Sequence, residues 1–364
     1  MLRIIASIGM DQFARETYPE IFRRLNNEDY EFYLFDHYQA LGQKIRGAYR
    51  LDELYRNRDK KLLEVYDRLV KLIDSFKADV LIVSAYNIYH PEFVKDLNVY
   101  TVLASSDDPD ASYVQTVPYV RAFDHVTCVN VIYHENIPVK MTDKLREWGA
   151  KRATWRPMGV KEFYYDPELT EEDILNKKRD IDLVYIGGFN RVKSDILLKL
   201  KKAFGQRFKI YGNWGWKVWG YCLMKYQQWV WVRILPQELF VPTYQNTKIG
   251  INLHLSGQLG NARLYQLPMN GVMQVCDCAD VLGEVFEPGK EIVGYRSIDE
   301  AIELIRYYLE HDDERRRIAA AGFRRAVDNY RYSTCFYNAL EEFKKGMREK
   351  GIKHLKDGTP LEVD

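Results

Sequence analysis

Residues 248–280 read KIGINLHLSGQLGNARLYQLPMNGVMQVCDCAD, and no other stretch limits the fold as tightly. Residues 248–255 form a short, β-rich apolar run. A helix opens at 263–267 and is closed by Asn270 and Gly271, residue types that accept the left-handed backbone at helix ends. A second apolar run follows at 272–275, then the acidic turn 276–280. Strand, loop, helix, glycine stop and strand make one βαβ unit of a parallel sheet. Ligands of such sheets sit beyond the carboxyl ends of the strands, beside helix N-termini whose unpaired N–H groups attract anions. The polar loop 256–261 falls at that place, and its glycines let a ligand approach the backbone closely.

The rest of the chain repeats the same alternation on both sides. In the first half, apolar runs at 2–8, 30–35, 79–84, 99–104 and 125–131 predict buried strands. Asp11 is placed to cap a helix over 12–25. Leu62, Tyr66, Leu69, Val70 and Ile73 keep helical spacing, which predicts one long helix over 51–76. After a hinge at 155–160 come a polar connector with Thr170 as a cap, strands at 182–186 and 208–211, and a helix at 194–204. Ser297 and Glu300 make a capping box for the next helix, and helices at 312–330 and 333–348 precede a polar tail that is expected to fray. The fold expected is α/β, with two doubly wound Rossmann-like domains. Their bounds are 1–157, 158–330, and a returning helix with tail over 331–364.

A chain of 364 residues is long enough for two such cores. Its 53 Lys+Arg balance 52 Asp+Glu, so no overall basic field points to nucleic acid or an anionic membrane. The cysteines number 5, follow no metal spacing and suit a reducing compartment. No apolar run approaches 18 residues and no signal peptide is seen, so the expectation is a cytoplasmic protein without stable membrane insertion. Five of the 7 tryptophans fall within 214–231, without helical or strand periodicity. That segment reads as a thick aromatic core or as an acceptor-side lining, with 229–231 as a strand.

Three loops at strand carboxyl ends are candidates for chemistry. Residues 85–90 end in His90, a polar group suited to face a sugar or simply to hold the loop. Asp107 and Asp108 precede Pro109 in a turn that reads equally as an acceptor-side site and as a strand-ending Asx turn. Gly187 and Gly188, followed by Arg191 and Lys193 at a helix start, suit a diphosphate. The glycines permit close approach, and the helix end with its two cations supplies charge.

The motifs of the second half resemble the CgeB-like, spore-maturation type of glycosyltransferase, within the group-1 retaining enzymes of GT-B fold. The residues that carry the resemblance are Asn246, Lys248-Ile249, Asn252-Leu253-His254, Arg263-Leu264-Tyr265-Gln266, Gly271, and Phe286 through Ile292. The resemblance implies two domains facing across a cleft and transfer of a hexose from a nucleotide-sugar, with UDP as the expected nucleotide. The acceptor is left open among glycan, protein and nucleic acid. It implies no cofactor and no metal. It places donor contacts at Gly187, Gly188, Tyr211, Trp216, Asn246, Lys248, His254, Asn261, Arg263 and Gln266, with Arg191 and Lys193 at the reacting diphosphate; His90, from the loop reading, is the further catalytic candidate. One departure stands out. Both acids of the family's paired-glutamate motif are amides here, Gln258 and Gln266. This leaves a second reading, a catalytically silent protein of the same fold that binds a nucleotide-sugar or a protein partner.

Overall fold

Each run of strand–helix alternation closes into its own all-parallel sheet in a computed structural model of the chain. The structure describes residues 1–363 except 46, 135–136, 189–190, 214–215, 227–231 and 255–257. For 137–138, 191, 216–219 and 226 it describes the backbone alone. The first sheet is built from β1 (Leu2–Ile8), β2 (Tyr30–Asp36), β3 (Val80–Ser84), β4 (Tyr100–Ala104), β5 (His125–Cys128) and β8 (Ala153–Trp155). A short pair, β6 (Ile132–His134) and β7 (Ile137–Lys140), lies between the last two in sequence. The second sheet contains β9 (Ile181–Ile186), β10 (Phe208–Tyr211), β11 (Thr247–Asn252), β12 (Met273–Cys276) and β13 (Val293–Gly294).

Their spatial orders are β2-β1-β3-β4-β5-β8 and β10-β9-β11-β12-β13. In both, the chain winds outward one way from the first strand and then reverses. The doubly wound reading therefore holds, with a reversal point between β1 and β3 and another between β9 and β11. All registers in the two sheets are parallel, as in Ile5 opposite Leu81 and Ile249 opposite Met273. The central strands read as unbroken apolar runs because helices cover both faces. Ile4, Ile5, Leu81 and Val83 are fully buried in one sheet, and Leu183, Ile249 and Met273 in the other.

The chain divides into two compact units. One comprises Met1–Tyr133, Pro138–Pro157 and Cys335–Asp364, and the other His134–Ile137 and Met158–Thr334. The final helix, Tyr332–Glu349, thus supplies most of its length to the first unit. There Phe336 meets Phe22 and Phe32 edge-on, Tyr337 stacks on Tyr30 at 5.5 Å, and Phe343 meets His125 at 5.0 Å.

Two local expectations are corrected. Residues 51–76 are not one helix but two, Ala48–Arg56 and Lys60–Phe76. Arg58 takes a left-handed backbone (φ 52°), and the Asp59 side chain caps the second helix at the Leu62 N–H, 2.9 Å away. The tail does not fray. Leu355 and Leu361 are buried, and the Lys356 N–H donates to Asp79 at 2.7 Å.

Candidate functional site

The reversal point of the second sheet is where two neighbouring strands part, leaving terminal carbonyls that no strand partner satisfies. Arg263 fills this place. It enters on the helix Ala262–Met269, whose N-cap Asn261 accepts from the Leu264 N–H at 3.0 Å. The guanidinium donates to the carbonyl of Ile186 (3.1 Å) at the end of β9 and to that of Leu253 (3.0 Å) just past β11. It also donates to the Asn252 side-chain oxygen at 3.2 Å and lies over the Tyr185 ring, 4.5 Å from its centre. Asn261 donates to the same oxygen and the same Leu253 carbonyl. Arg263 and Asn261 therefore do come to the carboxyl ends of the strands, but the contacts they make there are with the strand ends themselves.

The Gly187-Gly188 pair follows β9 and divides its labour. A Cβ on Gly187 would lie 1.9 Å from Arg263 Nη1, so this position is glycine because the guanidinium passes against it. A Cβ on Gly188 would meet nothing within 4 Å. Lys193 stands in the first turn of the helix Arg191–Phe204 that follows. Burial, and then the charge of Arg263, push its ammonium down to about 8, while the Asp277 carboxylate works the other way. Asp277 follows β12, where its carboxylate accepts from the His254 N–H at 2.7 Å and from His254 Nδ1 at 2.7 Å. Gly187, Gly188, Lys193, His254, Asn261, Arg263 and Asp277 are thus gathered at the strand carboxyl ends of one unit. Tyr211, the last residue of β10, joins that edge through its carbonyl, which accepts from the Gly187 N–H at 3.0 Å. Gln266 lies one turn beyond Arg263 on the same helix and is partly exposed.

Other expected residues lie elsewhere. Lys248 pairs with Asp182 at 2.7 Å, and Asn246 accepts from the Asp180 N–H at 2.9 Å. Both sit at the amino ends of β11 and β9, away from the carboxyl-end loops. The backbone of Arg191 begins its helix, and that of Trp216 begins the helix Trp216–Tyr226; their side chains lie outside the described residues. The expected strand at 229–231 lies outside them too.

In the first unit, His90 serves its own loop. Its Nδ1 accepts from the Glu92 N–H at 3.2 Å, capping a short helix, and its Nε2 meets Asp52 at 3.2 Å. The ring stacks on Tyr55, 3.9 Å between centres. Asp107 is exposed, whereas Asp108 is buried and accepts from the Ser112 hydroxyl, so the two neighbours do point apart. Neither lines the cavity of about 630 Å³ at the reversal point between β1 and β3. That cavity is walled by Gly9, Phe13, Tyr38, Lys44, Tyr86 and Val114 among others. Tyr86 holds a left-handed backbone (φ 59°), and its carbonyl accepts from the Tyr38 hydroxyl at 2.8 Å.

Sequence reasoning missed Asp277 and this aromatic cavity. The signals were present: an acidic turn directly after a buried strand, and a tyrosine-rich loop after β3. What the βαβ reading lacked was the register, which sets Asn252 opposite Cys276 and so brings His254 and Asp277 together.

Residues 191–341 match a family model described as glycosyl transferase-like. No curated protein matches the chain in sequence. Solved structures match along nearly all of it. HepE of Anabaena, in complex with UDP, has a TM-score of 0.62 at 10% identity, covering 95% of this chain and 100% of that one. Sucrose-phosphate synthase of Thermosynechococcus elongatus gives 0.61 at 10% identity, covering 96% and 100%. A glycosyltransferase of Rickettsia africae gives 0.61 at 12% identity, covering 95% and 99%. The fold of the chain is accordingly GT-B.

Proposed function

We propose that the protein is a retaining, metal-independent glycosyltransferase of the CgeB-like type, which moves a hexose from a UDP-sugar to an acceptor. The observation that carries this reading is the pairing of Lys193 with Arg263 at the reversal point of the second sheet. Burial first, and then the charge of Arg263, push the lysine's ordinary 10.5 down to about 8, inside the stretch that matches the glycosyl transferase-like model. Like charges kept together at a strand-end loop suit an anionic ligand, and a diphosphate offers two adjacent negative groups. The UDP complex of HepE supports the choice of nucleotide.

The chemistry asks little of the protein beyond placement and charge. The acceptor oxygen forms a bond to the sugar's anomeric carbon as the bond to the diphosphate oxygen breaks on the same face. The acceptor's proton passes to the departing diphosphate. Lys193 and Arg191 neutralise the charge that develops there, so side chains supply what a metal ion provides in other transferases. The aromatic cavity of the first unit is the proposed acceptor site. Phe13 and Tyr86, 40% and 46% exposed, offer ring faces on which a sugar can stack.

The silent reading rests on the amides Gln258 and Gln266 at both positions of the paired-acid motif. Titration of UDP by calorimetry separates the two cations' role from a structural one. The reading predicts binding that Lys193→Met weakens at least tenfold with the fold retained, and that EDTA leaves alone. No binding of UDP or any UDP-sugar would end it.

A further inference from the structure

The bonding around His254 defines more than a contact with the donor. Asp277 holds this histidine twice, through the backbone N–H and through ring Nδ1, each at 2.7 Å. A carboxylate has no proton to give, so Nδ1 carries the hydrogen. In the neutral ring the other nitrogen, Nε2, is then left as an acceptor. That atom is buried and has no hydrogen-bond partner, and the side chain is only 3% exposed. Buried polar atoms are nearly always paired, so an orphan at the edge of a ligand site marks a place where a ligand completes the bonding.

We propose that Asp277 fixes the tautomer of His254 so that Nε2 accepts a hydrogen bond from a hydroxyl of the donor's sugar. The proposal rests on the donor-binding reading above and assigns a further part of the same site. Chemistry selects the sugar over the diphosphate: an acceptor nitrogen needs a ligand that donates, and a phosphate oxygen carries no proton at neutral pH whereas a hydroxyl does. His254 is here a contact to substrate, and Asp277 is a positioning residue that acts through it.

A metal ion is the competing occupant, because Cys278 Sγ lies within 4.8 Å of His254 and Asp277 donor atoms. The geometry favours the hydroxyl. The 2.7 Å separation of Nδ1 and the Asp277 oxygen is that of a hydrogen bond, and the other oxygen of Asp277 is already committed to the His254 N–H.

Asp277→Asn gives a sharp test. The amide must keep its oxygen on the His254 N–H, which turns its NH₂ toward Nδ1. Nδ1 then becomes the acceptor and the ring proton moves to Nε2, the tautomer that cannot receive a hydroxyl. Ring ¹⁵N spectra and calorimetry with UDP and UDP-glucose read both consequences. In the wild type, Nε2 is expected unprotonated, with a resonance that moves on adding UDP-glucose but not UDP. In Asp277→Asn the tautomer reverses, and because the lost carboxylate also acts on the charge of Lys193, the readout is the ratio of UDP-glucose to UDP affinity, in which that effect cancels. The extra affinity that glucose adds falls roughly tenfold.

Should that variant misfold, a second pair decides. His254→Gln reaches as far as Nε2 and keeps part of the sugar's contribution, while His254→Asn reaches only as far as Nδ1 and loses it. UDP binding without any response of Nε2 to the sugar would overturn this inference alone. Stoichiometric Zn²⁺ binding abolished by Cys278→Ser would overturn it in favour of a metal centre. Failure of both UDP and UDP-glucose to bind would remove the donor-binding reading and this one together.

Discussion

Single residues carry the most specific consequences. Gly187→Ala places a methyl group where Arg263 Nη1 runs, 1.9 Å away, and must displace a guanidinium that ties together the ends of β9 and β11. Breaking such a buried cluster is expected to cost about 2 kcal/mol or more, whereas Gly188→Ala, with open space around its Cβ, stays near wild type. Urea denaturation of the two variants makes the comparison; equal loss at both would show that the close approach has no energetic weight. Lys193 gives a pH signature. With its ammonium held at about 8 rather than 10.5, the charge that attracts a diphosphate is lost as pH rises through that value. UDP affinity is expected to fall about tenfold from pH 7 to pH 9, and Lys193→Met to flatten the profile. The ligand-free stability contribution has the opposite sign. The unfolded chain binds the extra proton between about 8 and 10.5, so this group favours folding more as pH rises through that window.

At the scale of elements, much of the architecture was legible because its signals are local. The Asp11 cap, the helix Gln12–Leu25 and β10 (Phe208–Tyr211) coincide with their expected bounds. The break at 57–59 was not legible. Leu54 and Leu62 stay in helical phase across it, and neither glycine nor proline marks it, so periodicity alone runs the two helices together. The structure spends a left-handed Arg58 to re-aim the chain and recovers part of that cost through the Asp59 cap. Asp59→Ala should therefore lower stability by about 1 kcal/mol with little effect on ligand binding, as read by thermal unfolding with and without UDP. An unchanged transition would mean that the cap contributes nothing. The site was legible in part for a related reason. Glycines and basic residues after β9 announce a strand-end loop in any parallel sheet, and the structure does place Gly187 and Lys193 after the carboxyl end of β9. Lys248 and Asn246 were drawn into the site by motif alone, and the register places them at the opposite edge, in the pairing with Asp182 and at Asp180.

For the whole molecule, the last helix is where sequence distance and structure diverge most. Residues 335–364 belong with the first unit, reached by Phe336, Leu340, Phe343 and Met347 on one buried face. The Tyr30 hydroxyl donates to Glu341 at 2.5 Å, and Arg152 meets Glu342 at 2.6 Å. Phe343, 2% exposed against His125, is the point to test. Phe343→Ala should cost about 3–5 kcal/mol. Calorimetric unfolding that showed less than about 1 kcal/mol would mean the helix is not part of that core. The tail was misread because its polar composition hides two leucines, Leu355 and Leu361, that bury themselves while the backbone between them bonds back to Asp79.

We propose that this GT-B chain moves sugar from a UDP-sugar without a metal ion and without the two acids of the paired-glutamate motif, at whose positions Gln258 and Gln266 stand. The direct measurement is release of UDP from UDP-hexoses, with and without candidate acceptors and in the presence of EDTA, together with the anomeric configuration of the product. An active transferase gives UDP at an undiminished rate in EDTA, a product of retained configuration, and a donor KM raised roughly tenfold by Gln266→Ala through a hydrogen bond lost on the order of 1–2 kcal/mol. If UDP-hexoses bind but no donor is turned over, and Gln266→Glu restores turnover, the chain is a silent binder of nucleotide-sugars and the claim fails.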